Sequence, residues 1–230
     1  MKWRSLEEST VAVDGRPLRD QLVERKQLID KYVSKEVGAV HRRVVESLQT
    51  NGMADAVACV GLQAPEFELP DHLGRTLSLR TLLISGPVII CFFRGRWCPF
   101  CVTQLEAMNA VVPEITRAGA SLLAISPQTV HQSHLMAEQH KFAFRLLSDA
   151  GNKVARKFGL AYAVPQEQQV LYRKTFVNLP FINGDESWEL PIPAAFVLSQ
   201  EGVILFASAN PDYTVRPEPR ELLEIVKRRS

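Results

Sequence analysis

Pro87-Val88-Ile89-Ile90-Cys91-Phe92-Phe93, followed directly by Arg94-Gly95-Arg96-Trp97-Cys98-Pro99-Phe100-Cys101, is the stretch on which the fold turns. The first half is a short continuous apolar run, the pattern of a strand covered on both faces. The second half ends at a proline suited to the first turn of a helix, where its missing N–H has no helical partner to lose. The amphipathic stretch from Val102 onward continues that helix. Two cysteines therefore stand three apart at a strand-to-helix junction. Side chains at that spacing on a helix lie about 5–6 Å apart at Cβ, and a disulfide wants about 3.5–4.5 Å. A small adjustment closes the bond. The helix dipole favours a thiolate at Cys98, and thiols in such motifs ionise at about pH 3.5–7.5 rather than near 8.5. The junction predicts redox-active thiols.

Working outward, Gln63–Pro70 and Thr76–Leu79 read as short strands around the turn Asp71-His72-Leu73-Gly74. Beyond the junction come a helix from Cys101 to Ala118, a strand Ser121–Ser126 and a helix Val130–His140. A short strand Phe144–Leu147 and a short helix Lys153–Phe158 follow, then a strand pair Ala194–Leu198 and Val203–Ala207. Proline opens the last helix, Pro219–Arg228. This order is that of a thioredoxin-like α/β fold, a central mixed sheet flanked by helices. The connection from Ala161 to Pro193 is too long for an ordinary loop. Gln166–Phe176 is its candidate helix, and its end at Ile192-Pro193 predicts a place near the cysteines.

Before this domain, apolar residues from Leu18 to Leu48 recur at helical spacing, predicting one long helix or a pair broken near Gly38. We divide the chain into a helical arm, 1–58, and a thioredoxin-like domain, 59–230. The arm either packs on the domain or makes a homodimer contact. The 230 residues carry 27 Lys and Arg against 25 Asp and Glu. That balance gives no reason to expect nucleic acid as a partner. The N-terminus reads as no secretory signal and no apolar run is long enough for a membrane span, so the expected location is cytoplasmic. Four cysteines with one C-x-x-C pair suit redox chemistry in a reducing compartment better than a secreted disulfide framework.

Taken together, several segments resemble the peroxiredoxin-like branch of the alkyl hydroperoxide reductase/thiol-specific antioxidant (AhpC/TSA) family, within the thioredoxin superfamily. They are Gly61–Phe67, Phe92–Cys101, Ala124–Gln128, Leu147–Asp149, Trp188–Ala194 and Asp212–Arg216. The resemblance implies hydroperoxide reduction by a cysteine, regenerated by thioredoxin or a similar thiol reductant, without metal or organic cofactor. It places Cys101 at the peroxidatic position and Cys98 where such proteins carry threonine. It places Pro193 where they carry an arginine. Both replacements look like thioredoxin, whose proline is cis and exposes backbone to a substrate chain; Ile192 and Pro193 inherit that expectation.

Two reactions fit. A Cys98 or Cys101 thiolate attacks a hydroperoxide and its partner condenses to a disulfide, or Cys98 attacks a substrate disulfide and Cys101 resolves it. Helix position makes Cys98 the more exposed, more acidic thiol; the family resemblance favours Cys101. A third reading is a redox sensor that oxidises once without turnover. Trp97 is a candidate for shielding the thiol and touching substrate. Arg94 and Arg96 are candidates to replace the missing arginine, with plain solvation as the alternative. Tyr162, Trp188 and Tyr213 are pocket candidates, and Arg216 is a family feature or a loop anchor. Cys59 and Cys91 read as structural thiols. His131, His134 and Glu138 share a helix face, but no metal site is expected.

Overall fold

The computed structural model describes residues 15–53 and 57–228. Its centre is a five-stranded mixed sheet of β3 (Val88–Phe92), β4 (Ser121–Ser126), β5 (Arg145–Ser148), β8 (Ala194–Leu198) and β9 (Ile204–Ala209). The order is β5-β4-β3-β8-β9. β3, β4 and β5 run parallel, and β8 and β9 are antiparallel to their neighbours. Alternation along β3 divides the core. Ile89, Cys91 and Phe93 face one cluster with Leu105, Met108 and Leu222, while Val88, Ile90 and Phe92 face another with Phe158 and Phe196. With both faces covered, every β3 residue is buried, which is why the run is apolar without a break.

The junction is built as its sequence predicts. β3 leads into a loop and then α4 (Pro99–Arg117), with Cys98 as the residue before the first helical turn and Pro99 inside it. The hairpin β1 (Glu68–Pro70) and β2 (Thr76–Ser78) is held to the sheet by buried Asp71, whose carboxylate meets Arg145 at 2.6 Å. α5 (Val130–His140), α6 (Lys153–Lys157) and α9 (Pro219–Lys227) keep the expected places to within a residue. Leu79 opens a helix, α3 (Leu79–Ile84), instead of ending a strand, because the Ser78 hydroxyl accepts from the Thr81 N–H.

The arm is two helices, α1 (Leu18–Tyr32) and α2 (Lys35–Thr50). The break falls at Val33-Ser34, not near Gly38: Ser34 caps α2 through the Val37 N–H, and Gly38 lies inside the helix. Both helices pack on the domain. Leu18 and Leu22 join the α4 side of the core, and Val44 and Leu48 join a third cluster with Tyr162, Tyr172 and Ile192. That third cluster is the work of the long connection. It holds β6 (Ala161–Ala163) paired with β7 (Glu189–Pro191), and between them α7 (Gln166–Lys174) and α8 (Leu179–Asn183). Gly184, in the left-handed region, closes α8.

Candidate active site

Both cysteines of the junction are reduced and fully buried. The expectation that Cys98 is the more exposed is therefore corrected: the loop folds back over it. Gly95 makes this possible, with φ at +142° and a Cβ there only 2.6 Å from the Trp97 indole nitrogen. Any other residue would push the indole out. Trp97 lies half-buried, edge-on to Tyr172 at 5.1 Å between ring centroids.

Arg94 defines the chemistry. It is buried rather than solvated, and its Nη2 donates to Cys98 Sγ at 3.0 Å. Its guanidinium lies 4.0 Å from the Tyr213 ring centroid and 5.0 Å from that of Trp97. Burial drives the Cys98 thiol up, but the Cys101 hydrogen bond and the charge and hydrogen bond of Arg94 outweigh it, holding Cys98 well below the usual thiol range. Cys101 goes the other way. Burial, then its hydrogen bond to Cys98 and the charge there, push it well above the usual range, against the weaker pull of Arg216 and Arg94. Arg216 Nη2 stands 3.9 Å from Cys101 Sγ, with its Nε on Gln104 at 2.8 Å. Arg216 is thus anchored beside the second sulfur, combining the two roles its sequence suggested. Arg96 goes elsewhere, bonding Gln128, Gln132 and Gln139.

Three tyrosines close the site. Tyr162 reaches Arg94, and burial raises its phenol despite that cation. Burial likewise raises Tyr172, whose hydroxyl has no hydrogen-bond partner among the described residues, and pushes Tyr213 up to about 12. All three are neutral donors at ordinary pH. Tyr172 and His41 escaped the sequence reading because they come from α7 and α2, far from the motif; Tyr172 lies within the helix expected there, but nothing in its spacing singles it out. His41 sits about 6 Å from the rings of Tyr172 and Tyr213, with Nδ1 on Gln168 Nε2 at 3.1 Å. Burial and then the Arg94 charge lower it to about 4, so it is uncharged.

Ile192 and Pro193 are both buried, Ile192 in the cluster against which Trp97 packs. No peptide bond among the described residues is cis, so the thioredoxin-like expectation for Ile192–Pro193 is corrected. Their backbone is also engaged: Ile192 N–H donates to Leu160 O at 2.8 Å, and Pro193 O accepts from Asn210 at 3.4 Å. Trp188 belongs to the same cluster as Tyr162, Tyr172 and Ile192, and the Arg173 guanidinium lies 4.4 Å from its ring centroid. Cys91 is sealed in β3 and its thiol is pushed by burial to about 12, which makes it inert. Cys59 is exposed, with its thiol on Val57 O at 3.2 Å. Among the described residues no three His, Cys, Asp or Glu side chains cluster as metal ligands would, His131, His134 and Glu138 included.

Known proteins share this frame. A putative peroxiredoxin of Mycobacterium tuberculosis is 33% identical over 112 residues, which cover 49% of this chain and 73% of the relative. The chloroplastic peroxiredoxin Q of Populus jackii is 32% identical over 128 residues, 54% of this chain and 60% of that protein. Among solved structures, peroxidoxin BcpB from Mycobacterium tuberculosis superposes with a TM-score of 0.58 at 23% identity, over 74% of this chain and 96% of that one. Xanthomonas campestris peroxiredoxin Q gives 0.56 at 22% identity, over 70% and 90%. At those identities the superpositions speak for the thioredoxin-like fold. The AhpC/TSA family model matches residues 60–207, from just before the first hairpin into β9 and through both thiols of the junction, and by that match the chain belongs to the AhpC/TSA family.

Proposed function

We propose that the protein is a thiol peroxidase in which Cys98 attacks the hydroperoxide and Cys101 resolves. The observation that carries this is the 3.0 Å contact from Arg94 to Cys98 Sγ, against 3.9 Å from Arg216 to Cys101 Sγ. The reaction balances on the two sulfurs. The Cys98 thiolate forms an S–O bond as the O–O bond breaks; the sulfur is oxidised to sulfenic acid and the leaving oxygen takes a proton as an alcohol or water. Cys101 then attacks that sulfur, loses its proton, and water departs as the disulfide forms. A thioredoxin-like thiol returns two electrons. Arg94 stabilises both the thiolate and the negative charge developing on the peroxide. Proximity makes the second step fast, since the thiols are already hydrogen-bonded.

We assign contact with substrate or reductant to Trp97, Ile192 and Pro193; supporting this, Trp97 packs against the cluster that holds Ile192. The two described helices of the arm, α1 and α2, act as a cover of domain 59–230 rather than as an independent unit. Among the described residues no helix is long and apolar enough to cross a membrane, and a cytoplasmic thioredoxin-type reductant suits the buried dithiol. The test is single-turnover thiol loss in reduced protein mixed with hydrogen peroxide or cumene hydroperoxide. Oxidation should far outpace that of free cysteine and should vanish in Cys98→Ser. Reaction no faster than free cysteine, with ready reduction of insulin disulfides, would make the protein a disulfide reductase instead. Loss of the first step only in Cys101→Ser would exchange the two roles.

A further inference from the structure

A groove of about 550 Å³ separates the arm from the loop that carries Tyr213. This is the size of a small-molecule site. Its apolar lining is Ile29, Val33 and Val45 from the arm and Phe100 from the turn between the two cysteines. Its inner end is Tyr213, packed against Phe100 at 5.4 Å between centroids and against the Arg94 guanidinium at 4.0 Å. The Tyr213 ring, with the Arg94 guanidinium behind it, therefore stands between the open groove and the sealed Cys98. The charges on the lining do not make an ion site. Lys26 and Asp30 neutralise each other at 2.6 Å, Asp212 spends its carboxylate on Thr214, and Lys35 and Arg42 are exposed. His41, uncharged above about pH 4, adds no charge at the inner end.

We infer that this groove is the subsite for the apolar tail of an organic hydroperoxide, and that the arm, outside the family match at 60–207, thereby sets substrate preference. This rests on the peroxidase reading. Two observations favour an organic tail as occupant: Phe100 belongs both to the groove wall and to the core cluster that holds the two sulfurs, and Ile29, which also lines the groove, packs against that same cluster. For the tail's peroxide group to meet Cys98, the Tyr213 ring must turn aside. Hydrogen peroxide has no tail and gains nothing from the groove.

Gly38 supplies a clean probe. It lines the groove from inside α2, and a Cβ there meets nothing within 4 Å, so the first atom of a new side chain is accommodated. In Gly38→Trp the second-order rate constant for cumene hydroperoxide should fall on the order of tenfold or more, the worth of one lost apolar contact surface. The constant for hydrogen peroxide should stay within about twofold, and Gly38→Ala should resemble wild type. Circular dichroism and melting temperature monitor the fold. As a second measurement, cumyl alcohol, the unreactive product, should compete with cumene hydroperoxide in wild type and not in Gly38→Trp. Equal loss with both oxidants, loss with neither, or slowing only of reduction by thioredoxin would overturn the subsite. Wild-type protein inert to both oxidants would sink the peroxidase reading itself, before any variant is compared.

Discussion

Cys98 and Cys101 are the same side chain, three residues apart and equally buried, yet they are driven in opposite directions. The surroundings of Cys98 are an arginine at 3.0 Å wrapped in aromatic rings, with the helix N-terminus behind it. Those of Cys101 are the interior of α4, a more distant arginine tied to Gln104, and the charge of its own neighbour. Burial costs both thiolates dearly. Only Cys98 recovers the loss, because it accepts the Cys101 hydrogen bond and then holds the Arg94 cation in direct contact, whereas Cys101 meets the charge of Cys98 with its own arginine farther off. A buried dithiol need not be a symmetrical one, and the asymmetry is supplied by partners rather than by exposure.

The largest expected effect tests that asymmetry outright. Cys98→Ser should cut the rate of peroxide consumption on the order of 10³-fold or more. Cys101→Ser should still consume one equivalent and stop at the sulfenic acid, trapped by dimedone and read by mass spectrometry. Next comes the cation. Arg94→Met should slow oxidation about 10²–10³-fold. It should also move the pH profile of Cys98 alkylation upward, because with the cation gone only the Cys101 hydrogen bonds oppose burial and the thiolate forms at higher pH. An unmoved profile would mean that Arg94 does not set the acidity of Cys98. Arg216→Met should act more weakly, about tenfold, and on disulfide closure more than on the first step; rapid-quench mapping of sulfenic acid against disulfide separates the two.

The smallest effect lies at the edge of the Cys98 surroundings. His41 stays neutral in the folded protein down to about pH 4, whereas the unfolded chain takes up that proton near 6.5. Between those values the unfolded state binds more protons, so stability falls as pH falls through this window. The loss should reach on the order of 2 kcal/mol by pH 4, and His41→Gln should flatten it in urea titrations. In Arg94→Met, the His41 midpoint followed by NMR should rise, since a neighbouring cation no longer opposes its charging.

Much of the frame is legible in the residues. The runs Val88–Phe92 and Ser121–Ser126 announce covered strands, and Pro99 with the cysteines around it announces the helix start. The arm's break was less legible. Ser34 stops one helix and starts the next by a single capping bond, while Gly38 looks like the breaker and is not. β6 and β7 are harder still. Each is three residues long, and they pair across a stretch of more than 20 residues that must first fold onto the site.

The sequence by itself determined that two thiols would stand at a strand-to-helix junction in a thioredoxin-like domain, because local patterning and proline position need no distant partner. Tertiary structure alone decided that Arg94 would turn inward onto Cys98, and that Tyr172 and His41 would arrive from α7 and α2 to enclose it. Desolvation and charge contact depend on which surfaces meet across the whole chain, and residue spacing along one segment carries no record of that.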